Sequence, residues 1–420
     1  MTLLLLSSCG IFRGSTTKPP RRQPPTAEEP PKKEIPVPET VETEAPAKPQ
    51  VYNIAFMLPF NTLDIPFDSV GNVTKKLSEQ TRIALEYYRG ALMALDTVQK
   101  GGVKLKVLVY DTAEDTNKVR NLFNKPEVQQ SHLVIGPLYN DQLQTAAPLA
   151  RKFKVPMVSP FSTVNNFVDR NPYYTMANAS LESHCELLYD YLVEQHKPTR
   201  VLMLYNNTEN EQGYASYFAA REERMRNGVT LLSLTDEAEV TFEEVESMLS
   251  EGQDNVVIIP STNETFVSNM VRKLSALTDK YKIFVYGMPQ WRDSKSLRAD
   301  YLGKVNARIT AAMWFDKNEP DIKSFVNRYT ARYGSAPGQF ALEGYNQTLF
   351  FASFMAAKGS NFDKMLPDYT MHTAGESFRF QTMQRKDAHT VATSTAPVDF
   401  VENRSVQILE YRAGRLVKIR

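Results

Sequence analysis

The amino-acid sequence predicts an α/β protein of two Rossmann-like lobes behind a disordered, Pro-rich N-terminal segment. Three observations predict it. Leu133-Val134-Ile135 and Val155-Pro156-Met157-Val158 are apolar runs stopped by Gly136-Pro137 and Ser159-Pro160; between them Leu143, Ala146, Ala147, Leu149 and Ala150 recur near helical spacing, which makes a βαβ unit. Upstream, strand and helix patterns alternate from Ile54 onward and complete β-α-β-α-β, half of a doubly wound sheet. Downstream of Leu181 a second alternating series begins. Ligands at such sheets gather where strands end and helices begin, so the loops after the strands hold the candidate site residues.

In chain order, 54–58 is a buried first strand ended by Pro59, and 61–76 is a polar loop at its carboxyl end. Ser78, or Thr81 one turn later, caps a helix whose apolar face is Ile83, Leu85, Tyr88, Ala91, Leu92 and Leu95. Residues 103–109 alternate Lys with apolar residues, as a strand at a sheet edge does. Residues 116–123 are helical, and 174–177 cross into the second lobe. There the pattern reads helix 181–193, strand 201–204, helix 214–224, strand 229–234, helix 245–250, strand 256–259, helix 266–277 and strand 283–286. Two such lobes joined by several crossings form a clamshell.

The chain has 420 residues, enough for two cored lobes, and a formal net charge of +1, which gives no reason to expect nucleic acid as a partner. Two cysteines, Cys9 and Cys185, exclude a disulfide framework, and Cys185 in a helical pattern reads as a buried free thiol. Five scattered histidines without paired spacing, and no CxxC, HExxH, G-x-S-x-G or phosphate-binding Gly-rich loop, argue against a metal, a cofactor and catalysis. Asp111 and Asp115 read as a turn and a helix cap rather than as a catalytic pair.

The N-terminus reads as a targeting segment. Leu3 to Leu6 followed by Ser7-Ser8-Cys9 resembles a lipobox in which Cys9 is lipidated, so residues 1–9 are a signal remnant and the lipid is the membrane anchor. The apolar run is shorter than export signals require, so the true start is expected upstream. Residues 10–50, rich in Pro pairs and charge, form a disordered tether able to reach on the order of 100 Å.

The motifs IGPLY at 135–139, AAPLA at 146–150 and VPMVSPFST at 155–163 resemble the periplasmic binding proteins of the branched-chain amino acid type, whose fold is the type I clamshell. The likeness continues through Asn171-Pro172-Tyr173 and the strand at 200–205, over most of 51–420. LEYYRGALMALD at 85–96, VYDTAEDT at 109–116 and NRSVQILEYRAGRLVKI at 403–419 are similar to Bacteroidetes-type lipoproteins of the amino-acid ABC transporter substrate-binding class. The resemblance implies a first lobe of 51–175 plus 310–369 and a second of 176–309 plus 370–420. It also implies that Asn140, Phe161, Ser162 and Thr163 hold the ligand's carboxylate, where the family more often has Ser at the place of Asn140. In the second lobe it aligns Asn210, Thr262, Gln290 and Trp291 with ligand-facing positions. An acidic partner for an ammonium is expected after strand 283–286, but Gly287-Met288-Pro289-Gln290-Trp291 stands there. Trp291 either stacks on a ligand or packs the wall, and Ser162 and Thr163 either bind a carboxylate or merely cap a helix.

Two functions compete at this stage. One is a non-catalytic solute-binding lipoprotein of the cell envelope, anchored in the periplasm and expected at the outer membrane, that binds an amino-acid-like carboxylate and serves an ABC permease. The other is an outer-membrane scaffold that activates a peptidoglycan synthase and has lost its small-molecule role.

Overall fold

A computed structural model describes residues 51–71, 73–236, 240–384 and 398–420. The lipobox with Cys9 and the tether at 10–50 lie outside the described residues. No helix among the described residues is long and apolar enough to cross a membrane.

The strands are β1 (Tyr52–Leu58), β2 (Leu105–Asp111), β3 (Leu133–Ile135), β4 (Met157–Ser159) and β5 (Tyr174–Met176). They continue as β6 (Arg200–Asn206), β7 (Thr230–Asp236), β8 (Asp254–Ile259), β9 (Lys282–Gly287) and β10 (Arg308–Ala311). The last are β11 (Thr370–Thr373), β12 (Glu376–Met383), β13 (Phe400–Asn403), β14 (Gln407–Arg412) and β15 (Arg415–Lys418). One sheet has the order β11-β12-β13-β5-β4-β3-β1-β2, the other β15-β14-β10-β9-β8-β6-β7. Neighbours from β2 through β1, β3, β4 and β5 to β13 run parallel, as do those from β7 to β10. Parallel neighbours need helical crossovers, so both sheets carry helices on their faces, and both central strands read as continuous apolar runs. β2 lies at an edge, in keeping with its alternating Lys residues.

Both sheets end in antiparallel strands, and here the structure departs from the expected lobe assignment. Residues 370–420 were expected in the second lobe. Instead β11, β12 and β13 complete the first sheet, with Val401 paired to Thr175, and only β14 and β15 join the second. Likewise β10 belongs to the second sheet, so the return to the first lobe comes after Ala311 rather than at Thr310. The physical reason is aromatic burial. Phe378 and Phe380 pack on Phe350 with ring centroids 4.7 and 5.2 Å apart, in the first lobe's core. A local pattern shows that a segment is a strand but not which distant strand it joins.

The helices Glu79–Lys100 and Gln339–Lys358 cross with their backbones nearly touching. A Cβ on Gly90 would lie 1.8 Å from the Ala341 carbonyl oxygen, and one on Gly344 would lie 2.0 Å from that of Tyr87. Only glycine fits either place. The crossing fixes Glu343 at the lobe junction, where the chain passes between sheets at 177–180, 312–314 and 404–406. Ser78 caps the first of these helices by accepting from the Thr81 N–H at 3.2 Å.

Candidate functional site

The loop after β4 is built first. Gly136 opens the turn after β3 at φ +98°, and a Cβ there would sit 2.2 Å from the Met57 carbonyl oxygen. That turn delivers the start of the helix Asn140–Phe153 beside the loop 160–163. The Ser162 hydroxyl lies 2.8 Å from Asn140 Oδ1 and 2.9 Å from the Val164 carbonyl, and it accepts from the Val164 N–H at 3.2 Å. Ser162 is buried, so these bonds knit the two loops together rather than facing solvent. Phe161 packs edge-on against Tyr87 and beside Phe340, at centroid distances of 5.4 and 5.5 Å. Gln347 donates to the Pro160 carbonyl at 3.2 Å and accepts from the Tyr87 hydroxyl at 2.8 Å. The loop is therefore held rigidly, with Thr163 on its open side.

The cavity that Thr163 faces has a volume of about 170 Å³ and lies where the chain crosses between lobes. The first lobe contributes Pro160, Thr163, Glu343, Gln347 and Glu376; the crossings contribute Asn178, Ala312 and Met313. His184, Pro289, Gln290, Arg292, Asp293, Thr310 and Ala311 come from the second-lobe side. A cavity near 150 Å³ holds a benzene-sized molecule, so this one suits an amino-acid-sized solute.

Its electrostatics are set by burial. His184 is 3% exposed; its Nδ1 lies 2.8 Å from the Thr310 hydroxyl, and burial, reinforced by Arg292, pulls its pKa down to about 3. The imidazole is neutral. Burial pushes Glu343 up to about 7; Arg292 opposes this, while Asp293 and Glu86 add to it. Glu376, 4% exposed, is raised well above the ordinary carboxylate range by burial and by the charge of Glu343, against the Asn346 amide that donates to it at 3.3 Å. Arg292 pairs with Asp293 at 3.0 Å and donates to the Met313 carbonyl at 3.4 Å. No group of described residues could hold a metal ion.

The expected residues divide. Thr163 and Gln290 reach the cavity wall. Asn140, Phe161 and Ser162 stand together behind Thr163. Asn210 and Thr262 are exposed and lie off the cavity: Asn210 sits within the helix Glu209–Met225, and Thr262 precedes the Asn263 cap of Glu264–Ala276. Trp291 is a correction. It is 3% exposed, its indole N–H donates to the Ser261 carbonyl at 2.9 Å, and its ring fills the space a Cβ on Gly287 would need. It belongs to the second lobe's core, with no free face for a ligand. Glu343, Glu376 and Arg292 were not singled out in sequence, and His184 entered only as one of five scattered histidines; the one acid in an otherwise uncharged helix start was the available signal for Glu343. Asp111 holds the 61–62 turn, accepting from the Asn61 and Thr62 amides at 3.0 and 2.8 Å, and Asp115 caps the helix Thr116–Phe123.

The profile of the periplasmic binding protein family matches residues 70–391, more than half of the chain. This chain belongs to the periplasmic binding protein family. The leucine-specific-binding protein of Salmonella typhimurium is 29% identical over 133 residues, which are 30% of this chain and 36% of that relative. The match thus spans about a third of the curated relative's length. A candidate branched-chain amino acid ABC transporter protein from Rhodospirillum rubrum has a similar structure, with a TM-score of 0.63 at 15% identity over 88% of this chain and 100% of that one. A substrate-binding protein of an ABC transporter from Desulfitobacterium hafniense, solved with Leu, gives a TM-score of 0.55 at 15% identity over the same shares. At that identity the two structures establish the two-lobe fold of this periplasmic binding protein and nothing finer.

Proposed function

We propose that this protein is a solute receptor of the amino-acid ABC transporter type that closes its lobes on a small carboxylate-bearing ligand, a branched-chain amino acid or a relative, without catalysis. The observation that carries the reading is the cavity at the lobe crossings, with Thr163 of the SPFST loop on its wall. The helix Asn140–Phe153, which has no side-chain cap, starts behind Thr163 and favours a negative charge on that side of the cavity. The Thr163 hydroxyl and the Asn178 amide are the first-lobe and crossing groups nearest to hand. The Leu-bound structural relative and the leucine-specific sequence relative support the ligand class. Closure about three crossings is the ordinary way such a clamshell traps a solute.

The test is thermal unfolding and calorimetric titration with leucine, isoleucine, valine and the remaining amino acids. A true ligand at a hundredfold excess over its Kd adds about 2.7 kcal/mol to stability. A flat response across the whole panel removes the amino-acid reading. Lipid anchoring through Cys9, a periplasmic face and delivery to a permease complete the proposal. Cys9→Ser is expected to move the protein from the membrane to the soluble fraction.

A further inference from the structure

The cavity holds polar groups that the carboxylate reading leaves unused. Glu343 lies on its wall, and no hydrogen bond or ion pair among the described residues reaches either carboxyl oxygen. Glu376 is 4% exposed and has one oxygen bonded to Asn346 and the other without a described partner. His184, 3% exposed, has Nδ1 on Thr310 and Nε2 without a described partner. Arg292, the cation of this wall, is turned to Asp293 and the Met313 carbonyl. These atoms face the cavity without a described protein partner, so a donor-rich cation can bond to them there.

We infer that the part of the cavity wall carrying Glu343, Glu376 and His184 is the seat of a ligand's primary ammonium group, with Glu343 as its counter-charge. The inference rests on the solute-receptor reading and adds to it the group by which the solute is recognised. It also places that group on the helix Gln339–Lys358 and the start of β12, elements that the expected site did not include. An ammonium has three N–H donors, and Glu343, Glu376 and His184 all line the one cavity. A carboxylate at the same place would meet two acids.

Binding then moves a proton. Glu343 titrates near 7 in the empty cavity because of its burial, and the charged groups around it are Arg292 and Asp293 from the 3-10 turn Pro289–Asp293, Glu376 from β12 and Glu86 from the helix Glu79–Lys100. Seating a cation beside it favours the carboxylate, so Glu343 gives its proton to solvent. At pH 7 about half a proton leaves per ligand bound, and affinity rises with pH up to neutrality.

The experiment is calorimetric titration of the full chain with three probes: L-leucine, isopentylamine and 4-methylpentanoate. Each is run in phosphate and in Tris at pH 7 so that proton release is read from the buffer dependence of the heat. Leucine and the amine are expected to bind the wild type with proton release, and Glu343→Gln is expected to weaken both by roughly tenfold or more. The deaminated acid should show neither effect. Proton release is read on the wild type, so the inference stays testable if the variant folds poorly. Leucine binding without proton release, and with equal affinity in Glu343→Gln, overturns the ammonium seat and leaves the receptor reading standing. Binding of isopentylamine but not leucine, sensitive to Glu343, keeps the seat and overturns the amino-acid reading. Failure of both amines to bind the wild type overturns the seat.

Discussion

The two sides of the cavity are built on opposite principles. The loop 160–163 carries the motif residues, yet most of its polar groups are turned inward. Ser162 is bonded to Asn140 and Val164, Phe161 is wedged against Tyr87 and Phe340, and Thr163 keeps the open side. The hinge floor carries no recognisable motif. There Glu343 has no described protein partner, and Glu376 and His184 each keep one polar atom without one. The first region is a satisfied scaffold whose job is to hold shape. The second is unsatisfied and therefore available. A polar residue near a cleft is evidence of binding only after its local hydrogen bonds have been counted.

The sharpest way to break this contrast is to move the floor. Gly344→Ala would put a methyl group 2.0 Å from the Tyr87 carbonyl oxygen, so the helices must separate. Backbone cannot yield as a side-chain tip can, so the expected loss is about 3 kcal/mol or more in denaturant unfolding, together with loss of ligand binding. The next effect is electrostatic. Glu343 has an ordinary value of 4.5 and a folded value of about 7, so the folded state holds its proton more tightly than the unfolded chain does. That contribution to stability is complete below about 4.5 and disappears as pH climbs through about 7. Unfolding free energies measured from pH 4 to pH 8 should therefore fall by roughly 3 kcal/mol from this group in wild type. The slope should be shallower in Glu343→Gln, with Glu376 supplying the remainder.

Smaller effects sharpen the comparison from the other side. Trp291→Phe removes the donor to the Ser261 carbonyl and should cost about 1–2 kcal/mol of stability while leaving ligand affinity within twofold in titration. Ser162→Ala should cost about 1 kcal/mol through lost loop bonds, with little direct effect on affinity. Thr163→Ala should do the reverse, weakening binding several-fold at nearly unchanged stability. If Ser162→Ala abolishes binding in a protein of wild-type stability, the loop is no mere scaffold.

Much of the fold was legible because apolar period and turn chemistry are local. The run 133–135, its Gly-Pro stop and the alanine-rich helix after it specify a βαβ unit in any context. The last crossing, at 404–406 rather than near 370, and the sheet membership of β11 to β13 were not legible. Pairing Val401 with Thr175 depends on Phe378 and Phe380 finding Phe350, which no local pattern encodes. The site divides along the same line. That Thr163 lines the cavity was legible because it sits in a motif after a strand. The place of Glu343 on the cavity wall was not legible because it comes from a helix crossing that needs Gly90 and Gly344 at one point. Trp291 stayed open between ligand and wall because an aromatic in a loop after a strand looks the same whether it faces a ligand or the Ser261 carbonyl.

A crystal structure of the protein grown with L-leucine tests the account most directly. The account predicts closed lobes and one leucine in the cavity at the crossings, its ammonium within hydrogen-bond distance of Glu343 and its carboxylate toward Thr163. A leucine seated elsewhere, or with its carboxylate against Glu343 and Glu376, would contradict it.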